Sequence, residues 1–469
     1  MINGLATLFL LLTLVTTLCY KFFGGITLLI AASAALSAFT ALQWSRINIT
    51  GRVLIGIAAL SLLFVGLTPS PLDTLETAFS RAVYFATFLV ALAFLRLAAK
   101  HSYIVKRCGK LVVDQPPGRR YGLISFASYL FGTVLNFGVL HLLGQMVEKG
   151  NTLNAAGGHA HIQQIRRERM SMAILRGFSV VPLASPFSIT MTVMLATIPG
   201  LNWLSLLPVG AVTALLLMLL GWGFDFTSHP RRAPVDAQYT GPALSWFPAL
   251  QFLGIVVVLF LSAALVEKFT PATLPLAIML LSPVVGLLWL CGERLRAGPY
   301  LAIKTALTLL AQKLPEETNA LRSEISIISG ACFFGVVVSE LLPHEAIVTL
   351  VHTVNLSGVA LAFSACIAVT ALAHFGISPI ASVTIIAASL TPATAFGLSP
   401  ELLALGLMSG WCLSMNSSPV SITSLLLGQI TNTSPKLIAY RWNLSYWVSA
   451  SIGLGVWLIF LNQLLPVIP

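Results

Sequence analysis

Two six-residue stretches, Ser185-Pro186-Phe187-Ser188-Ile189-Thr190 and Ser418-Pro419-Val420-Ser421-Ile422-Thr423, differ at one position and lie in long apolar regions of the chain. Proline removes a backbone donor and stops the preceding helical turn. In hydrocarbon, unwound backbone survives only where protein buries it or where it lines a cavity. The chain must therefore break two membrane helices at matching places and shelter both breaks. A second pair of elements precedes them. Leu135-Asn136-Phe137-Gly138-Val139 stands before the first copy, and Ala373-His374-Phe375-Gly376-Ile377 before the second.

The membrane setting follows from composition. Hydrophobic residues make up 57% of the 469 residues and charged residues only 9%, against about 25% charged in a soluble protein. This excludes a soluble enzyme or a nucleic-acid-binding domain and predicts an all-α polytopic membrane protein. Runs long enough to span fall at about 3–19, 25–43, 52–67, 79–99, 202–222, 246–266, 271–291, 324–341 and 443–464. Four irregular regions, about 121–147, 169–198, 353–391 and 400–431, carry the repeated motifs. The stretches 100–120 and 297–323 are basic or amphipathic and read as helices or loops on the membrane surface. The first apolar run lacks a basic leader and a cleavage site and reads as a retained span. The six cysteines show no metal spacing and read as buried free thiols.

Basic residues orient these segments. Arg96, Lys100, Lys106, Arg107, Lys110, Arg119 and Arg120 precede 121–147, and Lys149, Arg166, Arg167 and Arg169 follow it. Both flanks belong in the cytoplasm, so 121–147 is expected to be a re-entrant hairpin with its tip near Asn136. No Lys or Arg lies between Ser323 and Pro435. The region 353–391 is therefore expected to enter as a second hairpin from the opposite face. Arg46 and Arg52, Arg231 and Arg232, Arg294 and Arg296, and Lys436 and Arg441 then all fall inside; Lys21, Arg81 and Lys268 fall outside. The net charge of +11 is a topology signal. The expectation is about eleven spans and two hairpins in two inverted repeats, with the N-terminus cytoplasmic and the C-terminus extracytoplasmic. Its divisions are scaffold helices at 1–78, a first repeat at 79–225, scaffold and linker at 226–300, and a second repeat at 301–469.

Two hairpin tips and two helix breaks are expected to meet near the bilayer midplane. Freed carbonyls there can ligate a small cation, and new helix N-termini favour an anion. The candidate binding residues are Asn136, Gly138, Ser185, Ser188, Thr190, His374, Gly376, Asn416, Ser417, Ser418, Ser421 and Thr423, which offer mostly neutral oxygens of the kind hard cations prefer. Sodium is expected at Asn136, Ser185, Asn416 and Ser418, and no other cofactor or metal. The competing reading is that serine and threonine only bond back to their own helices. His374 is either an intramembrane titrating group or a neutral pin for its tip. Arg176 either grips a substrate carboxylate or reaches back to the surface; its counterpart in the second half is Ser409. His141 reads as structural. No Asp or Glu falls within the motifs, which favours an anionic or neutral solute over a pumped proton or exchanged cation.

In layout the chain resembles the ion transporter superfamily, and within it the divalent anion:sodium symporter family, over about residues 79–464. In that family each tip and break carries a Ser-Asn-Thr signature that binds sodium and carboxylate. By position the matching residues are Asn136 and Gly138, Ser185 and Ser188, His374 and Gly376, and Asn416, Ser417 and Ser418. This chain has no Ser-Asn-Thr triplet; Asn416-Ser417-Ser418 comes nearest. The resemblance implies an elevator mechanism and a homodimer in a bacterial-type inner membrane.

The leading reading is a secondary active transporter of a small carboxylate-type anion, coupled to sodium or protons. An alternative is a cation/proton or oxyanion exchanger or exporter of the same fold. A third reading is a membrane-embedded acyl- or lipid-modifying enzyme using His374 with Asn136. It is disfavoured because an enzyme site is normally single, whereas these motifs are duplicated.

Overall fold

The computed structural model describes residues 2–228, 245–341, 349, 353 and 356–465. The basic pair Arg231 and Arg232 and part of the expected entry to the second hairpin, from 353, lie outside the described residues. Among the described residues the chain forms helices and turns only. Ten helices among the described residues are long and apolar enough to cross a membrane. Their starts follow ordinary capping chemistry. Asn48, Ser102 and Ser399 accept a backbone N–H from the residue three positions on, and proline opens the helices beginning at Pro71, Pro117, Pro379 and Pro400.

The central frame is the helix Pro71–His101, which packs between Leu274–Gly292 and Arg322–Leu341. At 31 residues it is about 46 Å long, more than a hydrocarbon core needs. The helices Ile2–Phe23, Ile26–Gln43 and Ile49–Ser61 pack at the edge of this frame. Phe247–Phe269 is the most peripheral, exposing Leu250, Val258 and Leu265; such a face suits lipid. The two amphipathic stretches are helices, Tyr103–Val113 and Pro299–Ala320. Lys100 ties their neighbourhood together through a 2.6 Å ion pair to Glu317. Cys108 is buried under the first of them, and burial pushes its thiol up to about 11. All six cysteines are free thiols.

The four irregular regions become two helix pairs and two broken helices. Pro117–Leu135 and Gly138–Gly150 form the first hairpin, turning at Asn136-Phe137; Val359–His374 and Pro379–Ser389 form the second. The first broken helix runs as Ala160–Ser179, the short turn Val181–Ala184, a break, and Ile189–Thr197. The second runs as Pro400–Ser417, a break, and Ile422–Thr431. Their packing is reciprocal. Each hairpin's first arm lies along the first arm of its own half's broken helix. Each hairpin's return arm lies against the second arm of the other half's broken helix.

Glycine makes the first of these contacts close. A Cβ at Gly177 would stand 2.1 Å from the carbonyl oxygen of Ser125, on the first hairpin. A Cβ at Gly410 would stand 2.5 Å from the carbonyl oxygen of Cys366, on the second. The two glycines are separated by the same interval as the two Ser-Pro motifs. Small residues that let backbones touch are how membrane helices associate without a hydrophobic driving force.

Candidate functional site

The repeated hexapeptide folds the same way twice. Ser185 and Ser418 end their helices in extended geometry, at φ −108, ψ 121 and φ −86, ψ 124. The following prolines have no N–H to give. Ser188 and Ser421 then restart the chain as N-caps, at φ −77, ψ 140 and φ −65, ψ 146. The Ser188 hydroxyl accepts the N–H of Met191 at 3.1 Å, and that of Ser421 accepts Ser424 N–H at 3.3 Å. Each cap's own N–H reaches back to the carbonyl of the serine before the proline, at 3.1 and 3.2 Å. Ser-Pro-x-Ser is thus a complete stop-and-restart device, because its first serine tolerates extended backbone and its second caps the new helix.

The two broken helices meet at equivalent residues. The Cys412 thiol lies 3.8 Å from the Ser179 hydroxyl, 233 positions away in sequence. The same interval separates Ser185 from Ser418. Two copies related by a two-fold operation touch through the same residue only on the axis.

The tips are less alike than their sequences. In the first hairpin Asn136 carries the left-handed backbone, at φ 51; in the second it is Gly376, at φ 82. The conformational counterpart of Asn136 is therefore Gly376, two positions beyond the expected match with His374. A non-glycine residue in this region, with ψ −135, is strained, and such strain clusters at functional sites. Gly138 opens the return arm. His374 bonds its own helix, Nδ1 to the Thr370 carbonyl at 2.9 Å, and stacks on Tyr440 at 6.2 Å. Its neighbour Phe375 is 84% exposed. The tip and the second break are joined one residue earlier, where the Ser418 hydroxyl donates to the Ala373 carbonyl at 2.8 Å. The first tip meets its broken helix through the rings of Phe137 and Phe178, 5.3 Å apart. Behind it the Tyr129 hydroxyl donates to the Ala184 carbonyl at 2.9 Å.

The proposed ligands divide by what they already bond. Thr423 donates to the Met415 carbonyl at 2.7 Å and bonds the Ser421 hydroxyl, stitching the second break across its gap. Ser185 accepts the N–H of Phe187. Thr190 is buried behind the first break. Asn416, Ser417 and Ser418 are all fully buried. Among the described residues the Ser417 hydroxyl has no partner, and the Ser418 hydroxyl donates its hydrogen to the Ala373 carbonyl. Buried hydroxyl oxygens are ligands of the kind a small hard cation takes.

Arg176 does not reach the surface. It is buried in the first arm of the first broken helix, with Nε donating to Asn443 Oδ1 at 2.8 Å and a terminal nitrogen donating to Tyr121 Oη at 3.1 Å and the Gly221 carbonyl at 3.2 Å. Its guanidinium lies 4.4 Å from the centre of the Tyr446 ring. Asn443 in turn donates to Asn416, at 2.9 Å to its carbonyl and 3.1 Å to its side chain. Asn443 is the residue the sequence reading missed. It sits in no repeated motif, between a short π-helical turn and the last helix Leu444–Leu464. Its only signal was an asparagine at the head of an apolar span.

Between the first hairpin's return arm and the second arm of the second broken helix lies a cavity of about 510 Å³, lined by His141, Gln145, Glu148, Lys149, Gln429 and Ile430. His141 and Gln145 fall one turn apart on one helix face, and a polar stripe of this kind needs water rather than lipid. On the second half a gap where the hairpin's return arm meets Pro71–His101, Arg322–Leu341 and Thr197, lined by Arg81, Cys332 and Thr384, has no room for a water molecule.

No family model and no curated protein sequence matches the chain. Among the solved structures similar in fold are two transporters. One is MtrF of Neisseria gonorrhoeae, of a class of antimetabolite efflux pumps, at 14% identity and TM-score 0.50 over 88% of this chain and 95% of that one. The other is the YdaH transporter of Alcanivorax borkumensis, at 16% identity and TM-score 0.57 over 88% of this chain and 99% of that one. At these identities the likeness is one of fold, and the chain has the fold of these two transporters along nearly their whole length.

Proposed function

We propose that this protein is a secondary active transporter that carries a small carboxylate-type anion across the cytoplasmic membrane, coupled to sodium or protons. The observation that carries the reading is the pair of helix breaks built identically by Ser-Pro-x-Ser, in broken helices that touch through the equivalent residues Ser179 and Cys412. An inverted repeat accounts for both, and for the reciprocal hairpin packing. Inverted repeats with discontinuous helices serve alternating access in secondary transporters; an enzyme has no use for two such sites. The likeness in fold to two transporters supports the same class. The rest of the reading comprises eleven spans with two re-entrant hairpins, a cytoplasmic N-terminus, a homodimer, membership of the ion transporter superfamily, and an elevator movement of hairpins and broken helices against the remaining helices. The open cavity beside the first hairpin and the closed gap beside the second fit a carrier open toward the first hairpin's face, the cytoplasm in this topology.

Sodium fits the buried hydroxyls of Ser417 and Ser418, and an anion fits Arg176. Export is the second direction, favoured by the likeness in fold to an efflux pump. The test is thermal stability of purified protein against a panel of small anions, each with sodium and with potassium. A ligand that binds only the folded state raises apparent stability by mass action. A sodium-dependent shift with a carboxylate supports symport. A shift with pH and with no anion refutes the carboxylate reading and favours the exchanger. Uptake and efflux by proteoliposomes then assign direction.

A further inference from the structure

Arg176 is a buried, permanently charged side chain whose hydrogen-bonding partners are all neutral: Asn443 Oδ1, Tyr121 Oη and the Gly221 carbonyl. Among the described residues no carboxylate lies within ion-pairing distance of it. Asp225 is held two turns away by Arg169, through two bonds of 2.8 and 2.7 Å. Burying a charge without an opposite charge is costly, and an arginine inside a membrane protein marks a functional position by default. The equivalent position in the second half is Ser409, small, neutral and buried, so the repeat does not itself require an arginine here. The best of Arg176's three acceptors is an amide oxygen, which has the geometry of one carboxylate oxygen and none of its charge.

We propose that Asn443 is an internal stand-in for the solute's carboxylate: its amide oxygen holds Arg176 when no anion is bound, and the anion takes its place. This rests on the carboxylate-transport reading and adds to it a competitor and a coupling. Charge-assisted bonds are about twice as strong as neutral ones, and a guanidinium can bind a carboxylate through two bonds, so the exchange favours the anion. The coupling lies in the other end of Asn443. Its amide nitrogen holds both the carbonyl and the side chain of Asn416, at the lip of the second break. Releasing Asn443 from Arg176 in the first half loosens or re-aims its grip on the second half, next to the hydroxyls of Ser417 and Ser418. Solute capture is thereby linked to the candidate cation site without direct contact between them.

The experiment measures stability shifts of full-length purified protein with acetate, succinate, glutamate and benzoate as probes. Wild type is expected to shift with at least one of them, and Arg176→Gln to lose that shift. Asn443→Asp supplies a resident carboxylate to Arg176, although it gives up the two bonds that the amide nitrogen donates to Asn416; it is expected to need at least tenfold more probe than wild type for a half-maximal shift. Asn443→Ala removes the competitor. It is expected to be less stable without probe and to show a larger shift than wild type. A wild-type shift preserved in Asn443→Asp at the same probe concentrations overturns the stand-in while leaving carboxylate transport intact. If Asn443→Asp does not yield folded protein, an Asn443→Ala shift no larger than that of wild type overturns it equally. No shift in wild type with any probe refutes the carboxylate reading and the stand-in together.

Discussion

The close approach at Gly177 offers a quantitative test of how the hairpins are held. Replacing it with alanine puts a methyl carbon 2.1 Å from the Ser125 carbonyl oxygen, with the Ser125 carbonyl carbon at 2.7 Å. Ordinary contact begins at 3.4 Å, so the helix pair must separate by more than an ångström. The obstacle is backbone, which cannot rotate aside as a side chain can. Separation would also stretch the neighbouring bond from Ser128 to the Ile174 carbonyl, now 2.7 Å. Overpacking a fitted interface costs about 1–3 kcal/mol and occasionally more; this overlap places Gly177→Ala at or above the upper end. At Gly410 the methyl would stand 2.5 Å from the Cys366 carbonyl oxygen, and the same substitution should cost less, within that range. Gly223, also inside a helix, has nothing within 4 Å of an added Cβ and serves as the control, where alanine should leave stability unchanged or raise it by up to about 1 kcal/mol through helix propensity. The assay is thermal denaturation of purified protein with loss of folded monodisperse material as readout, compared at one heating rate because such unfolding is kinetic. The expected order of destabilisation is Gly177→Ala, then Gly410→Ala, then Gly223→Ala. Equal stability of all three would refute the argument that backbone contact, rather than side-chain packing, fixes hairpins to broken helices.

Three further outcomes are expected. Ser418→Ala removes the bond to the Ala373 carbonyl, costs about 0.5–1.5 kcal/mol, and should reduce solute uptake at least tenfold; unimpaired uptake by this variant and by Asn416→Ala would remove the second break from the site. A cysteine at Asn154, exposed between the first hairpin and the first broken helix, should react with an impermeant maleimide only from the cytoplasmic side, and reaction from outside would reverse the proposed topology of the first repeat. In the same labelling scheme, cysteines at Gln145 and Gln429 should react because they line the open cavity. Native Cys108 should stay unmodified at pH 7 and gain reactivity only as pH approaches about 11, where its thiol ionises; rapid labelling of Cys108 at neutral pH would contradict its burial.

Much of the architecture was legible because its causes are local or periodic. Span length is set by the bilayer, and the helices Ile26–Gln43, Leu274–Gly292 and Leu444–Leu464 fall within a few residues of their apolar runs. The breaks were legible because proline and a capping serine act within four residues, so a repeated hexapeptide folds twice into one shape. The turn between Pro117–Leu135 and Gly138–Gly150 was legible at Asn136-Phe137-Gly138, where an asparagine and a glycine interrupt an apolar run. The tips were not fully so. Asn136-Phe137-Gly138 and His374-Phe375-Gly376 look matched in sequence, yet the left-handed residue is the first of one triplet and the last of the other. Which residue takes the turn depends on where each arm is packed.

The division between sequence and tertiary structure runs along that line. By itself the sequence determined that the chain belongs in a membrane, where two of its helices stop and restart, and that one hexapeptide does this twice. Those properties depend on hydrophobic length, proline and caps, which act over one helix at most. Only the tertiary structure decided which residues face one another: Ser179 against Cys412, Ser418 on Ala373, and Arg176 joined through Asn443 to Asn416 across 267 and 27 positions. A buried arginine without an acid beside it is invisible in a sequence, because the absence of a partner is a property of the packed interior.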